Sequence, residues 1–344
     1  MLRIWFNRTY ATNSHVIAML RANPGGRAVH VIGTHPDPDS PVLAACDQWA
    51  IEPELAAGEY VGWALQFARE HGVDLLIPRL HMAELAEARA EFAAAGTRLL
   101  CADAPAVRLF ADKVAAYRAA AGDGLPVPPY RVVRDSAGLR AAHAEFAKIA
   151  DWVCMKPTSG VGGNGYRRLT TAPPSLADFA GEVSSRVQLE DVCRALDTAE
   201  ADANPCHELM VMPYLDGPEI SVDVAATAEG EPLAAIGRGR SRRRRLIVDD
   251  VPAREIAQQL TRTHRVSYLS NTQVRYWQGP DDPAPRAYLL ELNTRISGGL
   301  FQTALAGVNL PWAAVRLALG EDVEPLRPRF GAGFTTVAAL VALP

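Results

Sequence analysis

Tyr288-Leu289-Leu290-Glu291-Leu292-Asn293-Thr294-Arg295-Ile296-Ser297-Gly298-Gly299 is the stretch on which the reading of this chain turns. An apolar run of strand-forming residues leads into one acid, one amide and one guanidinium on alternate positions. A period of two places Glu291, Asn293 and Arg295 on one face of a β-strand. Two hard oxygen donors followed by a fixed cation suit Mg²⁺ and the phosphates it bridges. An edge strand with a solvated polar face has the same pattern, so the decision needs other segments.

A second segment lies upstream. Asp151-Trp152-Val153-Cys154-Met155-Lys156-Pro157 reads as a strand ending in a lysine, and Thr158-Ser159-Gly160-Val161-Gly162-Gly163-Asn164-Gly165 follows it directly. Backbone amides in such a glycine loop approach a ligand without a side chain in the way. With a lysine beside them they hold phosphate oxygens. Its spacing matches neither a Walker loop nor the dinucleotide fingerprint. A third segment, His207 to Val224, holds two apolar strands around the connection Pro213-Tyr214-Leu215-Asp216-Gly217-Pro218.

Taken in order, these segments resemble the ATP-grasp superfamily, nearest to the ATP-binding domains of the carbamoyl-phosphate synthase large subunit and biotin carboxylase. The residues carrying the resemblance are Asp112-Lys113, Lys156-Pro157 with the Gly160 to Gly165 loop, Met212-Pro213-Tyr214-Leu215 with Glu219, Ser270-Asn271-Thr272-Gln273, and Glu291 to Arg295. They run from about residue 105 to 320. The resemblance implies an α/β and α+β architecture: a preATP-grasp domain with a Rossmann-like parallel sheet over 1–104, then a two-lobe ATP-grasp domain. Its small lobe, with lid and glycine loop, is expected over 105–210, and its C-terminal lobe, with the metal site, over 211–344.

It also implies roles. Lys113 and Lys156 would hold the α- and β-phosphates of ATP, and Gly160, Gly162, Gly163 and Gly165 would close over them. Adenine would lie on the connection near Met212 and Leu215, and Glu219 would accept the ribose hydroxyls. Gln273, Glu291 and Asn293 would ligate Mg²⁺ (or Mn²⁺), with Lys156 and Arg295 as the catalytic cations. The chemistry implied is a ligase that activates a carboxylate as an acyl phosphate for attack by an amine or another nucleophile. The alternatives are phosphorylation of bicarbonate or carbamate, as in carbamoyl-phosphate synthase, and an ATP-binding regulator without turnover. Thr294 stands where synthase-like members often carry proline, and Gln273 where many other members carry an acid.

Composition agrees with a globular protein. Of 344 residues, 49% are hydrophobic and 22% charged, enough for more than one core. A net charge of −4 argues against a general nucleic-acid binder, while the resemblance implies small-molecule or peptide carboxylates and amines as partners. The five cysteines form no C-x-x-C pair, and their odd number fits a reducing, cytoplasmic setting better than a disulfide framework or zinc site. Met1 to Arg8 does not read as a signal peptide, and no apolar run approaches the roughly 20 residues a membrane helix needs. A homodimer is common in families of this kind.

Along the first hundred residues strand and helix signals alternate, which predicts a parallel sheet. Strands are expected at Leu2–Phe6, Ala28–Ile32, Leu75–Pro78 and Arg98–Cys101. Helices are expected at Ser14–Arg21 with Asn13 or Ser14 as N-cap, at Leu55–His71, and at Met82–Ala95. Arg79 and His81 follow the third strand, at the edge where open α/β sheets bind ligands, so both are candidate substrate contacts. Pro105 to Ala121 is expected as one helix carrying Asp112 and Lys113. Leu176–Val183 and Leu189–Ala199 are expected as lid helices. The arginines between 238 and 245 read as a solvated loop or as a cluster for an anionic acceptor or the transferring phosphate.

Overall fold

A computed structural model describes residues 1–160, 165–173, 176, 185–201, 208–241 and 244–337. The chain forms two compact units. One is built from residues 1–110, 219–273 and 291–344, the other from 111–218 and 274–290.

The first unit begins with a five-stranded sheet in the order β3-β2-β1-β4-β5. Its strands are β1 (Leu2–Asn7), β2 (Val29–His35), β3 (Gln48–Ile51), β4 (Leu75–Ile77) and β5 (Arg98–Leu99). Every pairing in it is parallel, as the alternation predicts. β3 was not expected. It is a short edge strand between half-buried and exposed positions, so it lacks the apolar run that marks β1. Helices α1 (Asn13–Arg21), α2 (Ala57–Glu70), α3 (Met82–Glu87) and α4 (Arg89–Ala94) connect the strands. The single helix expected over Met82–Ala95 is two, broken at Ala88. Asn13 is the first residue of α1 rather than its cap, which is Thr12. The strand at Arg98–Cys101 ends at Leu99.

The same unit holds a six-stranded sheet in the order β15-β14-β11-β12-β13-β16. These are β11 (Glu219–Ala226), β12 (Pro232–Ser241), β13 (Arg244–Val248), β14 (Tyr268–Trp277), β15 (Arg286–Asn293) and β16 (Gly333–Phe334). The ends of β14 and β15, from Val274 and up to Leu290, belong to the second unit. β11, β12 and β13 form an antiparallel meander. The described arginines of the run, Arg238, Arg240, Arg244 and Arg245, therefore lie on strands rather than in a loop. Arg240 faces Arg245 across a strand pair, with the sheet supplying the backbone hydrogen bonds that overcome like-charge repulsion. Arg242 and Arg243 lie outside the described residues. One apolar core joins both sheets: Ile4, Phe6 and Ile17 share it with Ile236, Ile247, Leu269 and Trp312.

The second unit carries the sheet β6-β10-β7-β8-β9: β6 (Arg131–Val133), β7 (Val153–Pro157), β8 (Arg167–Thr170), β9 (Arg186–Gln188) and β10 (Leu209–Pro213). It is antiparallel except for β8 beside β9. One face packs on α7 (Ser136–Phe146) and α8 (Leu189–Ala201) through Leu139, Phe146, Val153, Leu196 and Val211. Met210 and Met212, on alternate positions of β10, point into a second cluster with Tyr117, Cys154, Leu215 and Trp277. The lid helix expected at Leu176–Val183 lies outside the described residues, apart from Leu176.

The expected helix over Pro105–Ala121 is broken at Asp112. α5 (Ala104–Ala111) ends before it and α6 (Lys113–Gly122) starts after it. Asp112 has extended backbone angles, and its carboxylate accepts hydrogen bonds from the amides of Val114 at 2.8 Å and Ala115 at 3.0 Å. An N-cap of this kind stabilises a helix start by about 1 kcal/mol, enough to favour a new helix over continuation. No helix among the described residues is long and apolar enough to cross a membrane.

Candidate functional site

In the second unit, the cap at Asp112 puts Lys113 at the first position of α6. Its backbone amide donates to the Thr158 carbonyl at 3.0 Å, and its ammonium donates to the Gly160 carbonyl at 3.0 Å. Lys113 is thus tied to the start of the glycine loop. Lys156 lies on β7 opposite Met210. Its ammonium donates to the Leu290 carbonyl at 3.3 Å and the Tyr117 hydroxyl at 3.4 Å, and lies 5.2 Å from the Tyr117 ring centre. Tyr117 donates to the same carbonyl at 3.1 Å. Gly160 has φ of +102°. Gly165, at φ +76°, sits where a β-carbon would be 2.7 Å from the Pro157 ring, so both conformation and space demand glycine there. Gly162 and Gly163 lie outside the described residues.

The expected adenine connection leaves β10 at Pro213. Met212 and Leu215 are buried at 3% and 2% exposure. The turn is fastened to the end of β14: the Gly217 amide donates to the Tyr276 carbonyl and the Tyr276 amide to the Pro218 carbonyl, both at 3.0 Å. A β-carbon on Gly217 would lie 2.4 Å from the Tyr276 oxygen, so the backbones meet only because this residue is glycine. Arg275 donates to the Gly217 carbonyl at 3.0 Å and the Tyr214 hydroxyl at 2.9 Å, with its guanidinium 4.7 Å from the Tyr214 ring centre. Nothing in the sequence reading had singled out Arg275.

In the first unit, Glu219 opens β11 and is exposed. β14 and β15 are neighbours, so Gln273 lies one strand away from Glu291 and Asn293. All three are half-buried. The alternation read from the sequence holds, with Leu292, Thr294 and Ile296 buried between Glu291, Asn293 and Arg295. Asn293 Nδ2 donates to Glu291 Oε1 at 3.0 Å, and Gln273 Nε2 is 3.5 Å from Asn271 Oδ1. With each amide nitrogen so engaged, Asn293 Oδ1 and Gln273 Oε1 remain as acceptors on the same two neighbouring strands as the Glu291 carboxylate. One carboxylate and two amide oxygens are a hard donor set that fits Mg²⁺ with water completing the shell. Among the described residues no three His, Cys, Asp or Glu side chains cluster as a metal site, so a metal here would depend on those amides.

Behind these strands lies a polar network that the sequence reading missed. Asp223, fully buried, accepts from Arg238 Nε at 2.6 Å, Asn271 Nδ2 at 2.9 Å and Ser297 Oγ at 2.8 Å. Arg238 also donates to Ser221 Oγ at 3.0 Å and Ser297 Oγ at 3.1 Å. Asn271 therefore links the Asp223–Arg238 ion pair to Gln273. The available signal was the alternation Glu219, Ser221, Asp223 within an otherwise apolar strand.

Of the two candidates after β4, Arg79 lines a cavity with Asn13 and Arg295. His81 instead occupies the N-cap position of α3 and lies tilted against Tyr60, ring centres 5.0 Å apart. Asn7, at the end of β1, holds Arg79 in place: its Oδ1 accepts from the Arg79 amide at 2.7 Å, and its Nδ2 donates to the Tyr60 hydroxyl at 2.8 Å.

Comparison with known proteins agrees with this architecture. Residues 205–338 match the family described as ATP-grasp in the biosynthetic pathway with Ter operon. No curated protein matches the sequence. Among solved structures, biotin carboxylase from Campylobacter jejuni in a β-γ-ATP complex superposes with a TM-score of 0.65 at 15% identity, over 94% of this chain and 72% of that one. The biotin carboxylase domain of Hydrogenobacter thermophilus 2-oxoglutarate carboxylase, in complex with MgADP, ADP and bicarbonate, gives 0.63 at 16%, over 96% and 73%. N5-carboxyaminoimidazole synthetase from Staphylococcus aureus complexed with ADP gives 0.66 at 11%, over 94% and 78%. The family match thus covers the C-terminal part of the chain, and nearly its whole length has the fold of the biotin carboxylase structures.

Proposed function

We propose that this protein is an ATP-dependent ligase that activates a carboxylate as an acyl phosphate for attack by an amine. The observation that carries the reading is the donor set on β14 and β15: Glu291, Asn293 and Gln273, with both amide nitrogens engaged and the oxygens left over. The oxygens so left over, with the Glu291 carboxylate, are the donors a hard cation takes.

In this reading Lys113 and Lys156 hold the phosphates, with the Gly160 to Gly165 loop over them. Lys156 exchanges the Leu290 carbonyl and Tyr117 hydroxyl for a phosphate oxygen, trading neutral partners for a charge-assisted bond. The connection after β10 takes the adenine through backbone groups near Met212 and Leu215, and Glu219 accepts from the ribose. A bound Mg²⁺ would supply charge neutralisation at the β- and γ-phosphates, held by Gln273, Glu291 and Asn293. Arg295 steadies the substrate carboxylate as one of its oxygens bonds to the γ-phosphorus and ADP leaves, and then the acyl phosphate until the amine displaces phosphate. Positioning and charge neutralisation are what such a transfer needs from a protein. The ATP-grasp fold of ADP- and ATP-complexed ligases supports the nucleotide assignment.

The test is ADP release across a panel of carboxylates and amines, bicarbonate included, with the product identified by mass. Glu291→Gln is expected to abolish turnover while leaving the melting temperature within a few degrees of wild type. Normal turnover in folded Glu291→Gln protein rules out the metal assignment. ADP release driven by bicarbonate alone replaces the carboxylate–amine reading with a carbamoyl-phosphate-like one.

A further inference from the structure

Strand β3 closes one end of the parallel sheet, and among the described residues no strand pairs with its outer side. Backbone direction decides which of its groups are left over. The Arg8 amide donates to the Thr34 carbonyl at 2.8 Å, so the even-numbered residues of β2 bond to β1. The odd-numbered ones therefore turn to β3, and the His35 carbonyl accepts from the Glu52 amide at 3.1 Å. With Thr34 opposite Ala50 and His35 opposite Ile51, residues 48, 50 and 52 direct their backbone groups inward. Trp49 and Ile51 direct theirs to the open edge.

The side chains of the same two residues are exposed. Trp49 and Ile51 share one face of the strand, at 40% and 52% exposure. Gln48 and Glu52, on the other face, reach polar partners in His71, Arg8 and Thr34. Natural sheets protect an open edge with lysine, proline or a bulge. The stretch Gln48-Trp49-Ala50-Ile51 carries neither lysine nor proline.

This edge is complementary to itself. A two-fold axis through Ala50, perpendicular to the sheet, runs two copies of β3 antiparallel. Ala50 then faces Ala50, and Trp49 of each copy faces Ile51 of the other. Hydrogen-bonded pairs recur at every second residue of an antiparallel ladder, and here they fall on Trp49 and Ile51, whose backbone groups point outward. An aromatic ring opposite a β-branched side chain is a favourable cross-strand pair. No like charges are opposed, since Asp47 meets Pro53 and Gln48 meets Glu52. Charge also matches at the ends. Arg21, 3.0 Å from Asp47 and 40% exposed, marks one end of the strand, and Glu54, 80% exposed, lies past the other. Antiparallel pairing brings Arg21 of each copy toward Glu54 of the other.

We propose that a second copy of this chain docks on β3 and joins the two parallel sheets edge to edge across a two-fold axis. The inference is independent of the ligase reading. Four residues a side make a patch smaller than the standard interface of about 1,600 Å², so half-association is expected at roughly 1–100 µM.

Sedimentation velocity on the full chain, from below to above that concentration range, tests the proposal. Wild type is expected to pass from monomer to dimer. Ile51→Lys should weaken the dimer at least about tenfold, because an edge lysine opposes pairing and the two-fold axis counts it twice. Its melting temperature should stay near that of wild type, since the side chain is exposed. If Ile51→Lys does not fold, Trp49→Thr keeps a strand-forming residue, removes the ring, and should weaken association several-fold. Cross-linking reads the register. Ala50→Cys sits on the axis in a non-hydrogen-bonded pair with Cα atoms about 4.5 Å apart, within reach of a disulfide. Mild oxidation should convert it to a covalent dimer that wild type, with its native thiols, does not form. Trp49→Cys places its two Cα atoms beyond about 7 Å and should not cross-link. The proposal is overturned if wild type stays monomeric throughout, which leaves the edge to a chain of other sequence. It is also overturned if folded Ile51→Lys and Trp49→Thr dimerise as wild type does, or if Trp49→Cys cross-links and Ala50→Cys does not.

Discussion

Replacing Asp223 with alanine should be among the most damaging single changes in this protein. Asp223 is fully buried, and the Arg238 side chain is only 10% exposed. Removing the carboxylate leaves the guanidinium in the interior with Ser221, Ser297 and, at 3.4 Å, Gln302 as neutral acceptors. Breaking one half of a buried ion pair costs about 3–5 kcal/mol, because an uncompensated charge remains. The hydroxyl contacts recover about 1 kcal/mol, while Asn271 and Ser297 each lose an acceptor, so a net loss of about 3–4 kcal/mol is expected. Asp223→Asn keeps an acceptor for both and should lose less, about 2–3 kcal/mol. Asp223→Leu with Arg238→Met removes both charges and should lie within about 2 kcal/mol of wild type, since apolar replacement of a buried pair is often near neutral. Urea denaturation of the three variants and of the single variants Asp223→Leu and Arg238→Met, followed by circular dichroism, measures the cycle. A loss below about 1 kcal/mol for Asp223→Ala, or a double variant whose loss is simply the sum of the single losses, refutes the reasoning. If Asn271 transmits the network to Gln273, folded Asp223→Asn should also need about ten- to a hundredfold more Mg²⁺ for half-maximal ADP release, the usual effect of losing a group behind a metal ligand.

The remaining predictions are simpler. Lys156→Ala should lower ATP affinity roughly ten- to a hundredfold with little change in melting temperature, and unchanged affinity by calorimetry would reassign the lysine to a structural role between Tyr117 and Leu290. Gly299→Ala would place a β-carbon 2.2 Å from Arg238 Nη1 and force the buried guanidinium out of its network, at a cost of about 1–3 kcal/mol; Gly298→Ala, 3.5 Å from Thr12 Oγ1, should stay within about 0.5 kcal/mol of wild type in the same melts. Burial holds the Glu52 carboxyl above its ordinary value, against hydrogen bonds from Thr34 and Arg8, so its contribution to stability is present at low pH and lost as pH rises through the raised value. Wild type should accordingly gain stability relative to Glu52→Gln as pH falls through that range, and parallel stability profiles would contradict it. Burial pushes the thiols of Cys101 and Cys154 up to about 11 and that of Cys46 to about 12, so a thiol-disulfide reagent at pH 8 should modify them far more slowly in folded than in urea-unfolded protein.

The parts of the fold legible in the sequence are those where local pattern and final environment coincide. β4 is apolar throughout and β1 largely so, both inside a parallel sheet, and the Glu291–Asn293–Arg295 alternation survives into the structure because half-buried and buried positions alternate from Glu291 to Ile296. Where tertiary partners decide, local pattern misleads. The arginine run reads as loop-like on charge, yet Gly237, Arg238 and Gly239 pair along β11 and β13, and the carboxylate that neutralises Arg238 lies fifteen residues upstream. Asp112 reads as one more residue in a long helix, because an N-cap is recognisable only once the backbone has turned. Arg79 could be nominated from its place after a strand. Asn13 could not, since the cavity it lines is also formed by Leu269 and Arg295, far away along the chain.

The order in which the chain visits its two units has a practical bearing on how the protein can be taken apart. Four crossings separate residues 1–110 from 111–218, 219–273, 274–290 and 291–344. Within the first unit Leu2, Ile4 and Ile17 share one apolar core with Ile236, Leu269 and Trp312, and Asn309 donates to the Met19 carbonyl at 2.7 Å. A fragment ending near residue 110 would expose the side of that core which the later segments cover, and a fragment beginning there would lack the strands it packs on. Neither half is a transferable module. Exchange of specificity between relatives by swapping N-terminal segments should yield insoluble chimeras unless the matching residues of β11 to β14 and of the C-terminal helix Leu310–Ala318 are swapped with them.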